Sequence, residues 1–185
     1  HSHWNEDEST APERITHART TAIGADPSKI LPDDLRDVVA NIRGDVHEPQ
    51  PGVVTISNPT ELGTVYTPDE VATLCTIAHD AGYRVHVDGA RIANAVAFLG
   101  CDIASITLDV GVDALSFGGT KNGLALGEAV IFFPRDPAIF ARAERTFPFH
   151  RKGTGHLVSK HRFVAAPFAA VLRDGSWMSL SLIHI

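Results

Sequence analysis

Strand-like and helix-like segments alternate along most of this chain, and that alternation restricts it to a small set of folds. Val53-Val-Thr-Ile-Ser57, Arg84-Val-His-Val-Asp88, Asp113-Ala-Leu-Ser-Phe117 and Glu128-Ala-Val-Ile-Phe-Phe133 are short apolar, β-branched runs of strand length. Helical segments separate them. Pro32-Asp-Asp opens a helix over 35–42, with Pro and carboxylates in the first turn, where the helix dipole favours them. Thr67-Pro68-Asp69-Glu70 is a second start, with Thr as N-cap and Pro at the first position; that helix runs to Ala81 and stops at Gly82. Further helices are expected over 90–99, 136–145 and about 155–172, and residues 19–23 form one more short β-branched run. Strands alternating with helices imply βαβ units and a mostly parallel sheet, an α/β fold.

Composition narrows the function classes. With 44% hydrophobic residues in a chain of 185, one ordinary domain can bury a core. No apolar run approaches the roughly 20 residues that span a bilayer, so no membrane partner is expected. The net charge of −6 and the lack of a basic block argue against nucleic acid. Two cysteines, Cys75 and Cys101, make neither a disulfide framework nor a zinc set; both read as ordinary buried thiols and suit a reducing cytoplasm. The polar, acidic opening HSHWNEDEST is no signal peptide. The chain starts without Met and without an introductory strand or helix, and it ends on a short apolar stretch without a cap, so a fragment is expected.

In parallel sheets ligands bind beyond the carboxyl ends of the strands. Asp88 ends the strand VHVD, Arg91 follows closely, and Lys121 sits in Phe117-Gly-Gly-Thr-Lys-Asn-Gly123 just past the strand DALSF. A lysine and a carboxylate, each at the end of its own strand, suit pyridoxal phosphate. The amine condenses with the aldehyde, and the carboxylate keeps the ring nitrogen protonated. The same spacing also fits a turn aspartate and a solvated loop lysine. His86-x-Asp88 could be two metal ligands on one strand face, but no third ligand stands at suitable spacing, and a packed core histidine is the simpler reading. GGTKNG lacks the Gly-Lys-[Ser/Thr] order of a nucleotide-binding loop. His156 and His161 lie among Arg151, Lys152, Lys160 and Arg162, which read as a solvated or partner-facing surface.

VHVDGARIANAV followed by VDALSFGGTKNGLALGEAVIFF resembles the pyridoxal-phosphate-dependent low-specificity L-threonine aldolases, of the aromatic amino acid β-eliminating lyase/threonine aldolase family. The resemblance runs from His3 to about Leu172. It implies an aspartate-aminotransferase-like fold (fold type I) with helices on both faces of a mostly parallel sheet. It implies retro-aldol cleavage of L-threonine or L-allo-threonine to glycine and an aldehyde, or a sister reaction on the same fold such as β-elimination or amino transfer. An inactive, incomplete piece is the remaining alternative. Carried over by residue, Lys121 is the Schiff-base lysine, Asp88 the partner of the ring nitrogen, and Arg91 a holder of the cofactor's phenolic oxygen or the substrate carboxylate. His3 is the histidine that stacks on the ring, His47 a second histidine near the substrate hydroxyl, and Thr120 a contact to the phosphate. The family's phosphate-cradling Gly-Thr loop, its N-terminal serine and its C-terminal arginine have no match in this sequence. The expected organisation is a cofactor-binding large domain over 1–150, the start of a helical connection over 151–175 and a ragged or foreign tail over 176–185. A homodimer or homotetramer acting on a small amino-acid substrate completes the expectation.

Overall fold

The computed structural model describes residues 1–24 and 28–182, without the side chains of residues 180–182. Its centre is a four-stranded sheet in the order β1-β2-β3-β4. The strands are β1 (Val53–Ser57), β2 (Arg84–Gly89), β3 (Ala114–Gly118) and β4 (Glu128–Phe132). β1 pairs parallel with β2, and β2 with β3, whereas β4 returns antiparallel beside β3. The α/β expectation with a mostly parallel sheet holds.

Alternation decides which face of the sheet is dry. Val54 and Ile56, Val85 and Val87, and Leu115 and Phe117 point to one side and are buried. The helix α4 (Pro68–Asp80) buries Val71, Leu74, Cys75 and Ala78, three and four residues apart, which is one stripe of a 3.6-residue period. Its start is at the N-cap expected at Thr67, which the structure completes as a capping box: the Thr67 hydroxyl accepts from the Glu70 N–H, and the Glu70 carboxylate accepts from the Thr67 N–H. Helix α5 (Ile92–Leu99) adds Ile92, Ala93, Ala95 and Val96 to the same core and stops at Gly100, which holds φ +64°. Burial, with a smaller push from Asp113, raises the Cys75 thiol to about 12, so it is an inert core group, as expected. Cys101 is only half-buried.

Beneath the amino ends of β2 and β3 sits a charged cluster. Asp113 accepts from Val85 N–H and pairs with His79 at 2.8 Å, and Arg84 pairs with Asp136 at 2.8 Å. This cluster ties α4 and the chain at Asp136 to the sheet, at the end opposite Asp88.

Several boundaries differ from the sequence reading. The opening is not bare: helices α1 (His3–Glu6) and α2 (Ala11–Thr16) precede the first strand, and α3 (Pro32–Asn41) follows them. Residues 19–23 form no strand; Trp4 Nε1–H donates to the Thr20 hydroxyl and the Thr20 N–H to Glu13, which holds the stretch as a tethered loop. Helix α6 (Pro137–Gly153) carries Pro148 inside it and crosses the expected boundary at residue 150. Residues 155–161 are turn and coil rather than helix, and α7 (Arg162–Asp174) begins beyond them. The segment expected to be ragged forms α8 (Ser176–Leu182), whose Trp177 is buried edge-on against Phe117, with ring centroids 5.8 Å apart. Residues 183–185 of that segment lie outside the described residues. Among the described residues no helix is long and apolar enough to cross a membrane.

Candidate active site

The other face of the sheet is polar at its carboxyl end. Strand register sets Ser57 beside Asp88 and Asp88 beside Ser116, a row of three half-buried polar side chains across β1, β2 and β3. Period-two alternation alone puts these three on one face, and that signal was available in the sequence. One position below, His86 joins its Nε2 to the Ser116 hydroxyl at 2.9 Å, with the Trp4 ring 6.4 Å away. His86 is therefore the packed, hydrogen-bonded core histidine, and no cluster of metal-ligating side chains stands among the described residues. Burial pushes the His86 imidazole below its ordinary value, against a weaker upward pull from Asp88.

That shift has a sign. A histidine depressed in the folded state takes its proton more readily when unfolded, so stability rises with pH across the interval below the unfolded value. Urea unfolding should therefore lose stability as pH falls from about 7 through 6.5 toward the lower folded value. His86→Gln should flatten that part of the profile. An unchanged profile would show that His86 does not control it.

Past the row, a cavity of about 310 Å³ opens over the carboxyl ends of the strands. His3, Asp88, Arg91 and Lys121 all line it, so four of the six site residues named from sequence come together there. Asp88 is fixed by its own turn, with Oδ1 accepting from the Ala90 N–H at 3.0 Å. Lys121 is exposed at the rim on a single turn of 3₁₀ helix (Thr120–Asn122). Neither Lys121 nor Arg91 makes an ion pair among the described residues. Both cations remain available to an anionic ligand. His3 donates its backbone N–H to Glu61, and its Nδ1 meets Glu8 at 2.8 Å.

Two of the six do not join them. His47 is exposed on the loop between α3 and β1, where its N–H donates to Asp45, and it is not part of the cavity wall. The isolated motif GDVHEP could not reveal that this loop turns away. Thr120 is exposed and does not line the cavity; its N–H donates to Glu128. In their place the wall contains Glu8, Ser57, Glu61, Ser116 and Glu128, which the sequence reading did not select. Glu128 stands directly across from Gly118 at the start of β4. Its carboxylate accepts from the Gly119 N–H at 2.8 Å and the Thr120 N–H at 3.3 Å, clamping the loop that carries Lys121. Asn122 completes the clamp by donating its side-chain amide to the Gly118 carbonyl.

Close approach of backbone to backbone requires glycine here. A Cβ on Gly118 would overlap the Ala90 carbonyl and Cα, and one on Gly89 would come 2.9 Å from the Ser116 carbonyl oxygen. These glycines let the turn after Asp88 lie against the strand that leads to Lys121.

The donor set fits pyridoxal phosphate. It offers an amine on a clamped loop, a carboxylate at the neighbouring strand end, a free guanidinium and an imidazole at the mouth. A buried oxygen, Glu61 Oε2, also has no hydrogen-bond partner in the wall.

Residues 1–181 match the family described as beta-eliminating lyase. A low specificity L-threonine aldolase of Pseudomonas aeruginosa is 43% identical over 96% of this chain and 49% of its own length, and one from a Pseudomonas species is 42% identical over the same shares. The chain thus spans about half the length of the curated relatives it matches. The fold superposes on the Leishmania major threonine aldolase with a TM-score of 0.83 at 27% identity, covering 97% of this chain and 50% of that one. This agreement supports the fold type I architecture expected from the sequence.

Proposed function

Because the chain belongs to the beta-eliminating lyase family, we propose that it is part of a pyridoxal-phosphate-dependent lyase that cleaves L-threonine and L-allo-threonine to glycine and acetaldehyde. The observation that carries this reading is the meeting of Lys121 and Asp88 on one cavity, at the ends of adjacent parallel strands. The likeness to aldolases of the family supports the substrate class.

When bound, the cofactor supplies an electron sink for the pair left at Cα. The protein's residues do the rest. Lys121 would hold the cofactor through its amine. Asp88 would keep a proton at the ring nitrogen. Its Oδ1 is already fixed by the Ala90 N–H, so the carboxylate is oriented before any ligand arrives. Arg91 pairs with an anionic oxygen of cofactor or substrate. His3 covers the mouth, held at its backbone by Glu61 and at its ring by Glu8. The reading includes a cytoplasmic setting and a homodimer or homotetramer, with no nucleic-acid or membrane partner.

The test supplies the full-length protein with pyridoxal phosphate and L-threonine and follows acetaldehyde by its reduction with a coupled alcohol dehydrogenase. Acetaldehyde and glycine in equal amounts are expected. Pyruvate or indole release, or amino transfer to a keto acid, without acetaldehyde would assign a sister reaction and overturn the proposal.

A further inference from the structure

We infer that Glu61 is a further catalytic residue of this site, the group that takes the proton from the substrate's β-hydroxyl; the inference rests on the functional reading above. Glu61 lies four residues past Ser57, the end of β1, and lines the same cavity as Lys121 and Asp88. One carboxylate oxygen is already engaged: Oε1 accepts from the His3 N–H at 2.7 Å and from the Ser57 hydroxyl at 3.1 Å. The other, Oε2, is buried and has no partner. A buried acceptor left unpaired forfeits its hydration without replacement, so it gains when a donor arrives.

Among the described carboxylates of the wall, only Glu61 has a buried oxygen without a partner. Glu128 spends both oxygens on the Lys121 loop, and Glu8 accepts from His3. Asp88 has one oxygen on the Ala90 N–H and belongs to the ring nitrogen. His47 is not part of the wall.

The turn that carries Glu61 is built to hold still. The buried Asn58 side chain donates to the Tyr66 carbonyl at 3.2 Å and accepts from the Tyr66 N–H at 3.1 Å, closing the loop from both strands of its neck. Within it, Thr60 N–H donates to the Thr64 carbonyl at 2.8 Å, and the Thr60 and Thr64 hydroxyls meet at 2.7 Å. A base on such a turn approaches the substrate with little orientation left to lose.

The step balances. The substrate O–H bond breaks and its proton moves to Glu61 Oε2. The oxygen's electron pair forms the C=O bond of the departing aldehyde as the Cα–Cβ bond breaks. The pair from that bond stays at Cα, which takes a proton from solvent to become glycine while Glu61 returns its own to solvent.

Glu61→Gln tests this, because the glutamine carbonyl still accepts from His3 and Ser57 while the second oxygen is lost. The ligand-free variant should unfold within about 2 °C of the parent, since neither contact is removed. In the full-length protein loaded with pyridoxal phosphate, threonine cleavage should fall about 10²–10³-fold, as for loss of a positioned base. Exchange of the glycine α-hydrogen with solvent involves no hydroxyl and should stay within about 3-fold of the parent. Glycine affinity, read from the cofactor's absorbance, should likewise be unchanged. Cleavage that survives, or that falls only in step with glycine exchange, overturns the role of Glu61. A parent protein that neither takes up the cofactor nor cleaves threonine overturns the functional reading itself, and Glu61's role with it.

Discussion

Lys121→Ala should remove the pyridoxyl group that borohydride fixes to the parent protein after incubation with pyridoxal phosphate. Peptide mass spectrometry should find the label on Lys121 in the parent and on no residue in the variant. Threonine cleavage by the full-length protein should fall on the order of 10³–10⁴-fold, the upper range for a positioned acid–base group, since the lysine both anchors the cofactor and moves protons. The Lys121 side chain is exposed and makes no ion pair among the described residues, so thermal unfolding should be unaffected. Label spread over other lysines in both proteins would remove Lys121 from the site.

Gly118→Ala should be a strongly damaging small substitution. The added methyl would overlap the backbone of Ala90, which cannot rotate aside as a side chain could. Strand β3 and the turn after Asp88 must then separate, at about 3 kcal/mol, the upper end for overpacking. In urea this should move the unfolding midpoint down by about 1–2 M. The same displacement shifts Lys121 away from Asp88, so borohydride labelling should fall together with stability. Gly100→Ala is the control: Gly100 has φ +64° but open space around it, so the change should cost only about 1 kcal/mol. Equal losses at both positions would show that the contact with Ala90 adds no special penalty at Gly118.

What could be read beforehand follows from how local each cause is. The strands were legible because β-branched runs with alternating burial are self-announcing, and α4 because Thr67 and Glu70 cap it within one turn. Asp88, Arg91 and Lys121 were legible because each stands at or just past the carboxyl end of a strand, within motifs that resemble a known family. Glu61 and Glu128 were not. Each is an ordinary carboxylate in sequence, and each acquires its role from a partner brought by the fold, His3 across a long separation and the Gly119 amide across a sheet register. His47 does not line this cavity, and a short motif does not say which way its loop turns. Residues 19–23 look like a strand because threonine and isoleucine favour extended backbone, yet no neighbouring strand receives their hydrogen bonds.

The antiparallel return of β4 has a consequence for the order in which the chain folds. β3 and β4 are joined through the Gly119–Gly127 loop, so their pairing brings together residues close in sequence. Such a hairpin closes in roughly 1–10 μs. The pairing of β2 with β3 must wait for the crossover through α5 to be laid down, and longer-range contacts form more slowly. The lysine loop and its glutamate clamp should therefore be assembled while the chain is young, with the aspartate strand delivered to them afterwards. Pulse-labelling hydrogen exchange during refolding should protect the Gly119 amide ahead of the amides shared by β2 and β3.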